Sequence, residues 1–123
     1  MDDGIDGFNH REPELRQVRA LHVFARDERG QVVAGAVGRT WGQCAELQQL
    51  WVQEADRHQG VGRHLMALFE ADAAARGCRL VYLDTFSFQA PGFYEKLGYR
   101  CVLQTRGFTR GIVKFTMHKV LGA

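Results

Sequence analysis

Seven consecutive residues, Arg57-His58-Gln59-Gly60-Val61-Gly62-Arg63, combine glycines and cations in a way that suits an anion. They open a stretch in which Val61, Leu65, Leu68, Phe69 and Ala73 recur at helical spacing, so the glycines fall at a helix start. A helix N-terminus presents amide N–H groups without intrahelical partners, together with the positive end of the macrodipole. Glycine removes the side chains that would hold a bulky phosphate away, and Arg57 and Arg63 add full charges at the same point. Such a turn suits a pyrophosphate. A plain glycine-rich helix start with surface arginines accounts for the glycines alone equally well.

The loop does not match the other common nucleotide motifs. Gly60-Val61-Gly62-Arg63-His64-Leu65 reproduces the first two glycines of a dinucleotide fingerprint, but Leu65 stands where the third belongs. The polar stretch Gln53 to Gln59 also separates the preceding strand from the first glycine, which argues against a nicotinamide fold even with Asp84 at ribose distance. No Gly-Lys-Ser/Thr follows, so the P-loop pattern is absent.

The elements around the loop follow from periodicity and punctuation. Residues Asp2 to Asn9 suggest a short helix with Ile5 and Phe8 as its apolar edge, and Leu15, Val18 and Leu21 a second turn or extended segment after Pro13. His22 to Arg26 reads as a strand that turns at Asp27-Glu28-Arg29-Gly30 into a valine-rich return over Gln31 to Thr40. A third strand covers Cys44 to Val52. Strict alternation along it sets Glu46, Gln48, Leu50 and Val52 on one face and Ala45, Leu47, Gln49 and Trp51 on the other. A helix from Gly60 to Arg76, stopped by Gly77, leads to a strand over Arg79 to Thr85, which makes one right-handed parallel crossover. Pro91 and Gly98 frame a short helix, and strands over Tyr99 to Gln104 and Ile112 to Val120 finish the chain. The expected fold is α/β of the mixed kind, with a mainly antiparallel sheet, one parallel pair joined by a helix, and flanking helices.

Composition bounds the role of this sheet. With 123 residues, 46% hydrophobic and 24% charged, the chain reads as one soluble domain. Sixteen basic against fourteen acidic residues leave +2, too balanced for nucleic acid as the default partner. No run of about 18 apolar residues marks a membrane span, and the acidic start MDDGIDG lacks signal-peptide features. Cys44, Cys78 and Cys101 are an odd, widely spaced set, which points to reduced thiols, a cytoplasmic setting and buried apolar filling. None of the histidines at 10, 22, 58, 64 and 118 has the spacing of a zinc site, so no metal is expected. Trp41, Trp51, Phe86, Phe88 and Phe108 are expected mainly in the core, with one or two of them free to wall a substrate pocket.

Two motifs together carry a family resemblance. Arg57-x-x-Gly60-x-Gly62, after a strand ending Leu50-Trp51-Val52, resembles the acyl-CoA pyrophosphate motif of the GNAT superfamily of N-acetyltransferases. Phe93-Tyr94-Glu95-Lys96-Leu97-Gly98-Tyr99 resembles that superfamily's second signature, beside the pantetheine arm, and the likeness spans roughly residues 20 to 120. The run Leu83 to Pro91 is similar to a bacterial subgroup of small members. The resemblance implies transfer of an acetyl group from acetyl-CoA to a primary amine of a small molecule or peptide. It also implies that the third strand and the one after the long helix splay apart to admit the pantetheine. Backbone at Leu50, Trp51 and Val52 would then pair with it, while His58, Gln59, Val61 and Arg63 join Arg57, Gly60 and Gly62 around the pyrophosphate.

By the same resemblance Tyr94 takes the position of the acid; a phenol titrating near 10 can protonate a thiolate titrating near 8.5. Glu46, four residues before Leu50, takes the base position of the histone-modifying branch, with Asp84 as second candidate. Carboxylates titrating near 4 need burial or a relaying water for that work. Where many members carry asparagine seven residues before the tyrosine, this chain has Ser87, its one serine, able to cap the short helix or bond the pantetheine. The acidic head Asp2, Asp3 and Asp6 could attract a cationic acceptor. The usual first strand is lacking before His22, so a second subunit is expected over the sheet edge, which makes a homodimer. The alternative of another class is a non-catalytic acyl-CoA-binding regulatory domain.

Overall fold

The computed structural model describes residues 18–122. The expected helix over Asp2 to Asn9 and the acidic head lie outside the described residues. Three antiparallel strands come first: β1 (Arg19–Arg26), β2 (Val32–Trp41) and β3 (Cys44–Val52). Helix α1 (Val61–Ala75) crosses to β4 (Leu80–Phe86), then α2 (Pro91–Lys96), β5 (Arg100–Thr105) and β6 (Lys114–Val120) complete a six-stranded sheet of order β1-β2-β3-β4-β6-β5. The β3–β4 pair is parallel and the other four pairings are antiparallel, as the element order requires of a single crossover.

The first strand starts three residues earlier than the sequence pattern suggests. Leu21 lies opposite Gly38 and is fully buried, so the ladder captures a residue whose helical-looking spacing came from Leu15 and Val18. The core lies between one face of the sheet and the two helices. Leu21, Ala34, Ala36, Ala45, Leu47, Val81, Leu83 and Met117 meet Leu65, Met66, Phe69 and Ala73 of α1 and Tyr94 of α2. Phe69 sits where β2 carries Gly38; a Cβ there would collide with the Glu46 carbonyl and touch the Phe69 ring. Arg76 closes α1 by donating to the Ala20 carbonyl and to Thr40 Oγ1.

Strict alternation fails in β3. Val37 pairs with Gln49 but Gly38 pairs with Leu47, so Gln48 is an extra residue and the strand bulges there. The phase of the side chains flips across it. Leu50 and Val52, opposite Ala36 and Ala34, turn to the helix face with Leu47, whereas Glu46, Gln49 and Trp51 take the other face. The expectation that Glu46 and Leu50 share a face is therefore corrected.

Burial also departs from expectation at several apolar residues. Cys78 is buried, Cys44 half-buried, and Cys101 exposed on the edge strand β5, next to a second bulge at Val102. Phe88 and Phe108 are 68% and 42% exposed, so neither is core. Among the described residues no helix is long and apolar enough to cross a membrane, and no three His, Cys, Asp or Glu side chains gather as metal ligands.

Candidate active site

The parallel ladder between β3 and β4 is short. It runs from Cys44↔Leu80 to Leu47↔Leu83 and then stops, although β3 stays paired with β2 to Val52 and β4 with β6 to Phe86. The two strands therefore diverge just past Leu47, at the Gln48 bulge, and leave a wedge. A cavity of about 800 Å³ fills it. Leu83 and Thr85 line it from the helix face and Asp84 from the opposite face, so the cleft passes through the sheet.

The glycine loop closes one end. Glu54–Asp56 make a single 3₁₀ turn, after which Arg57 donates from Nε to the Val52 carbonyl and ties the loop to the strand end. Gly60 caps α1 in the left-handed region at φ 79°, with no side-chain capping bond, and its carbonyl accepts the first helical bond from His64. The N–H groups of Val61, Gly62 and Arg63 thus point out of the helix start without intrahelical acceptors. A Cβ on Gly62 would stand 3.4 Å from the Phe93 ring, so this glycine also marks where α1 and α2 come together.

Tyr94 forms the wall on the α2 side. It is 9% exposed, packed edge-on against Phe93 and Tyr99 at centroid distances of 5.1 and 5.9 Å, and it lines the cavity. Burial pushes its phenol up to about 12, so it remains a proton donor throughout the neutral range. Behind it Tyr99 donates to Glu70 Oε2 at 2.9 Å and Lys119 to Glu70 Oε1 at 2.8 Å. Burial, then the Glu70 charge and hydrogen bond, raise the Tyr99 phenol and keep it protonated.

The cavity brings together Leu50, Trp51, Val52, Arg57, His58, Gly60, Val61, Gly62, Arg63 and Tyr94, all singled out from the sequence. Three others stand apart. Gln59 is not among the lining residues. Ser87 Oγ accepts from the Val113 N–H at 3.1 Å, pinning the turn after β4 to the start of β6, while the N-cap of α2 is Ala90. Glu46 is held by Arg39 at 2.8 Å on the face away from the helices, below the point where the strands part. Asp84 does line the cavity, and its Oδ1 accepts from Thr116 Oγ1. Phe93, the neighbour of Tyr94 in the second motif, lines it too, as do Gln48, Gln49, Thr85 and Gln89, which were not picked out as site residues from the sequence. The one available signal was the adjacent pair Gln48-Gln49, which breaks the alternation of an otherwise regular strand.

Residues 3–99 match the acetyltransferase (GNAT) family. The chain belongs to that family. It is 35% identical over 109 residues to a protein named blasticidin-S acetyltransferase from Streptomyces morookaense, covering 88% of this chain and 80% of that one. An acetyltransferase of Agrobacterium fabrum is 37% identical over 81 residues, which is 66% of this chain and 59% of the relative. Among solved structures, an acetyltransferase from Bacillus cereus ATCC 14579 superposes with a TM-score of 0.89 at 31% identity, over 98% of this chain and 88% of that one. This acetyltransferase is an acyltransferase enzyme by that membership, and nothing in these likenesses favours a non-catalytic acyl-CoA-binding domain.

Proposed function

We propose that this acetyltransferase, as one domain over residues 1–123, moves the acetyl group of acetyl-CoA to a primary amine of a small molecule or peptide. The observation that carries the reading is the wedge that opens where the β3–β4 ladder stops, with Tyr94 on its wall. Its parts fit the cosubstrate. Gly60, Val61, Gly62 and Arg63 offer free N–H groups and a positive helix end to a pyrophosphate, with Arg57 and His58 beside them. Backbone of Leu50 and Val52 turns away from β2 and has no β4 partner, so it faces the wedge to pair with pantetheine amides and to donate to the thioester carbonyl. Trp51 instead pairs with Gly35 of β2, and the Val52 carbonyl already accepts from Arg57. Acetyl-CoA supplies the acetyl group already activated as a thioester.

The remaining chemistry falls to this chain's own side chains. The acceptor must lose a proton to attack, and Asp84 is the carboxylate in the cleft that can take it, directly or through a water. The Arg39 ion pair makes Glu46 the weaker choice. Tyr94 then gives its phenolic proton to the departing thiolate. The deciding experiment is acetyl-CoA-dependent thiol release against a panel of amines, blasticidin S included because a relative carries that name. Turnover with at least one amine is expected, with Tyr94→Phe lowering kcat by about 10²-fold or more while acetyl-CoA affinity holds. Unchanged turnover in Tyr94→Phe overturns the acid role, and no release with any amine overturns the reaction.

We further propose a cytoplasmic setting, in keeping with the free thiols of Cys44, Cys78 and Cys101, and a homodimer. The dimer reading rests on β1, which pairs with β2 alone among the described residues and leaves its outer edge open.

A further inference from the structure

Three phenyl rings converge beside the cleft from separate parts of the chain. Phe86 ends β4, Phe88 sits in the turn that follows, and Phe108 comes from the connection between β5 and β6. Phe86 stacks on Phe88 at 5.6 Å and meets Phe108 edge-on at 5.3 Å. Such a cluster ordinarily forms to leave water, yet Phe88 and Phe108 remain 68% and 42% exposed. Core packing does not explain it, and exposed apolar clusters of this kind mark interaction surfaces, ligand-binding grooves among them.

The cluster is also held in place before any ligand arrives. Gln89 Oε1 accepts from the Phe86 N–H at 2.8 Å, and Ser87 exchanges two hydrogen bonds with the Val113 backbone, so the turn carrying Phe88 is fastened on both sides. Phe108 is presented by a loop in which Gly107, Arg110 and Gly111 all adopt positive φ. A non-glycine residue in that region marks a conformation the surroundings impose.

Its position fixes what it would bind. Asp84 and Phe86 lie on the same face of β4, two residues apart, so about 7 Å separates the carboxylate strand position from the phenyl one. Thr85 and Gln89, which flank the turn, line the cleft. The charges at that end are Arg106 and Arg110 in the loop and Lys114 opposite Phe86. They disfavour a second ammonium group and leave a neutral, flat group as the complement.

We propose that Phe86, Phe88 and Phe108 form a ring-binding subsite for the acceptor, which is a monocation carrying an aromatic or heteroaromatic ring a few bonds from its reacting amine. The inference rests on the amine-acetylating reading and names the acceptor class for the same cleft.

The test is titration calorimetry of the full chain saturated with coenzyme A, using 3-phenylpropylamine, butylamine and 1,4-diaminobutane as probes. The phenyl amine is expected to bind at least about tenfold more tightly than either aliphatic amine, the size an aromatic contact commonly carries. Phe88→Ala with Phe108→Ala is expected to erase most of that preference. Because both side chains are exposed, the double variant keeps its melting temperature, which is checked alongside. Equal affinities for the three amines, or an unchanged preference in the double variant, overturns the subsite. Thiol release from acetyl-CoA, measured with the same three amines and the same protein preparation but without added coenzyme A, separates the two readings. Phenyl-dependent binding without acetylation supports the subsite and counts against the amine reaction; indifferent acetylation of all three does the reverse.

Discussion

Two carboxylates compete for one role, and position separates them. Glu46 and Asp84 both project from the face opposite the helices, but Glu46 lies inside the paired part of the β3–β4 ladder, bound to Arg39, and Asp84 lies one residue past its end. Asp84→Asn is therefore expected to lower kcat/KM by about 10²-fold at neutral pH, with Glu46→Gln within a few-fold of the parent. The Asp84→Asn rate should climb with pH, as the acceptor amine loses its proton unaided. The opposite ranking of the two variants in steady-state assays would move the base to Glu46. At the alkaline end, the phenol raised by burial to about 12 keeps Tyr94 protonated, so neither profile should fall through loss of this acid below about pH 11. The motif at Tyr94 was legible in sequence because it is local. Ranking Asp84 above Glu46 was not, because it depends on where a ladder between distant strands stops.

At the scale of elements, the order of strands and helices was legible, and so were most boundaries to within a residue or two. Valine-rich runs, the Asp27–Gly30 turn and the Gly60 and Gly77 helix limits are all local signals. What escaped was the Gln48 bulge, since a one-residue insertion is defined against the partner strand and not along its own. Two glycines test how these elements are held. A Cβ on Gly38 meets the Glu46 carbonyl and the Phe69 ring at the bulge, whereas a Cβ on Gly60 meets nothing within 4 Å and strains only the backbone at φ 79°. Gly60→Ala should cost about 1 kcal/mol. Gly38→Ala should cost about 2–3 kcal/mol, because β3 must give way at the Glu46 carbonyl and the Phe69 ring must shift. Urea unfolding would read both, and equal losses would mean that the bulge is not clamped between β2 and α1.

For the whole molecule the unequal dressing of the sheet matters most. Both described helices lie on one face, and among the described residues β1 and β5 form the edges. The β5 edge is blunted by its bulge at Val102 and by the charge of Arg100, features that discourage strand addition. The β1 edge has only a late irregularity between Ala25 and Arg26, and most of its length is regular and free on its outer side among the described residues. If a second copy pairs there, light scattering should give about twice the monomer mass. Proline placed at an outward-donating β1 position should then halve it while leaving thiol release per chain intact, because the wedge between β3 and β4 lies two strands away. A monomer at high protein concentration would remove the dimer. A dimer indifferent to such a proline would move its interface off β1 and onto another surface, such as the β5 edge.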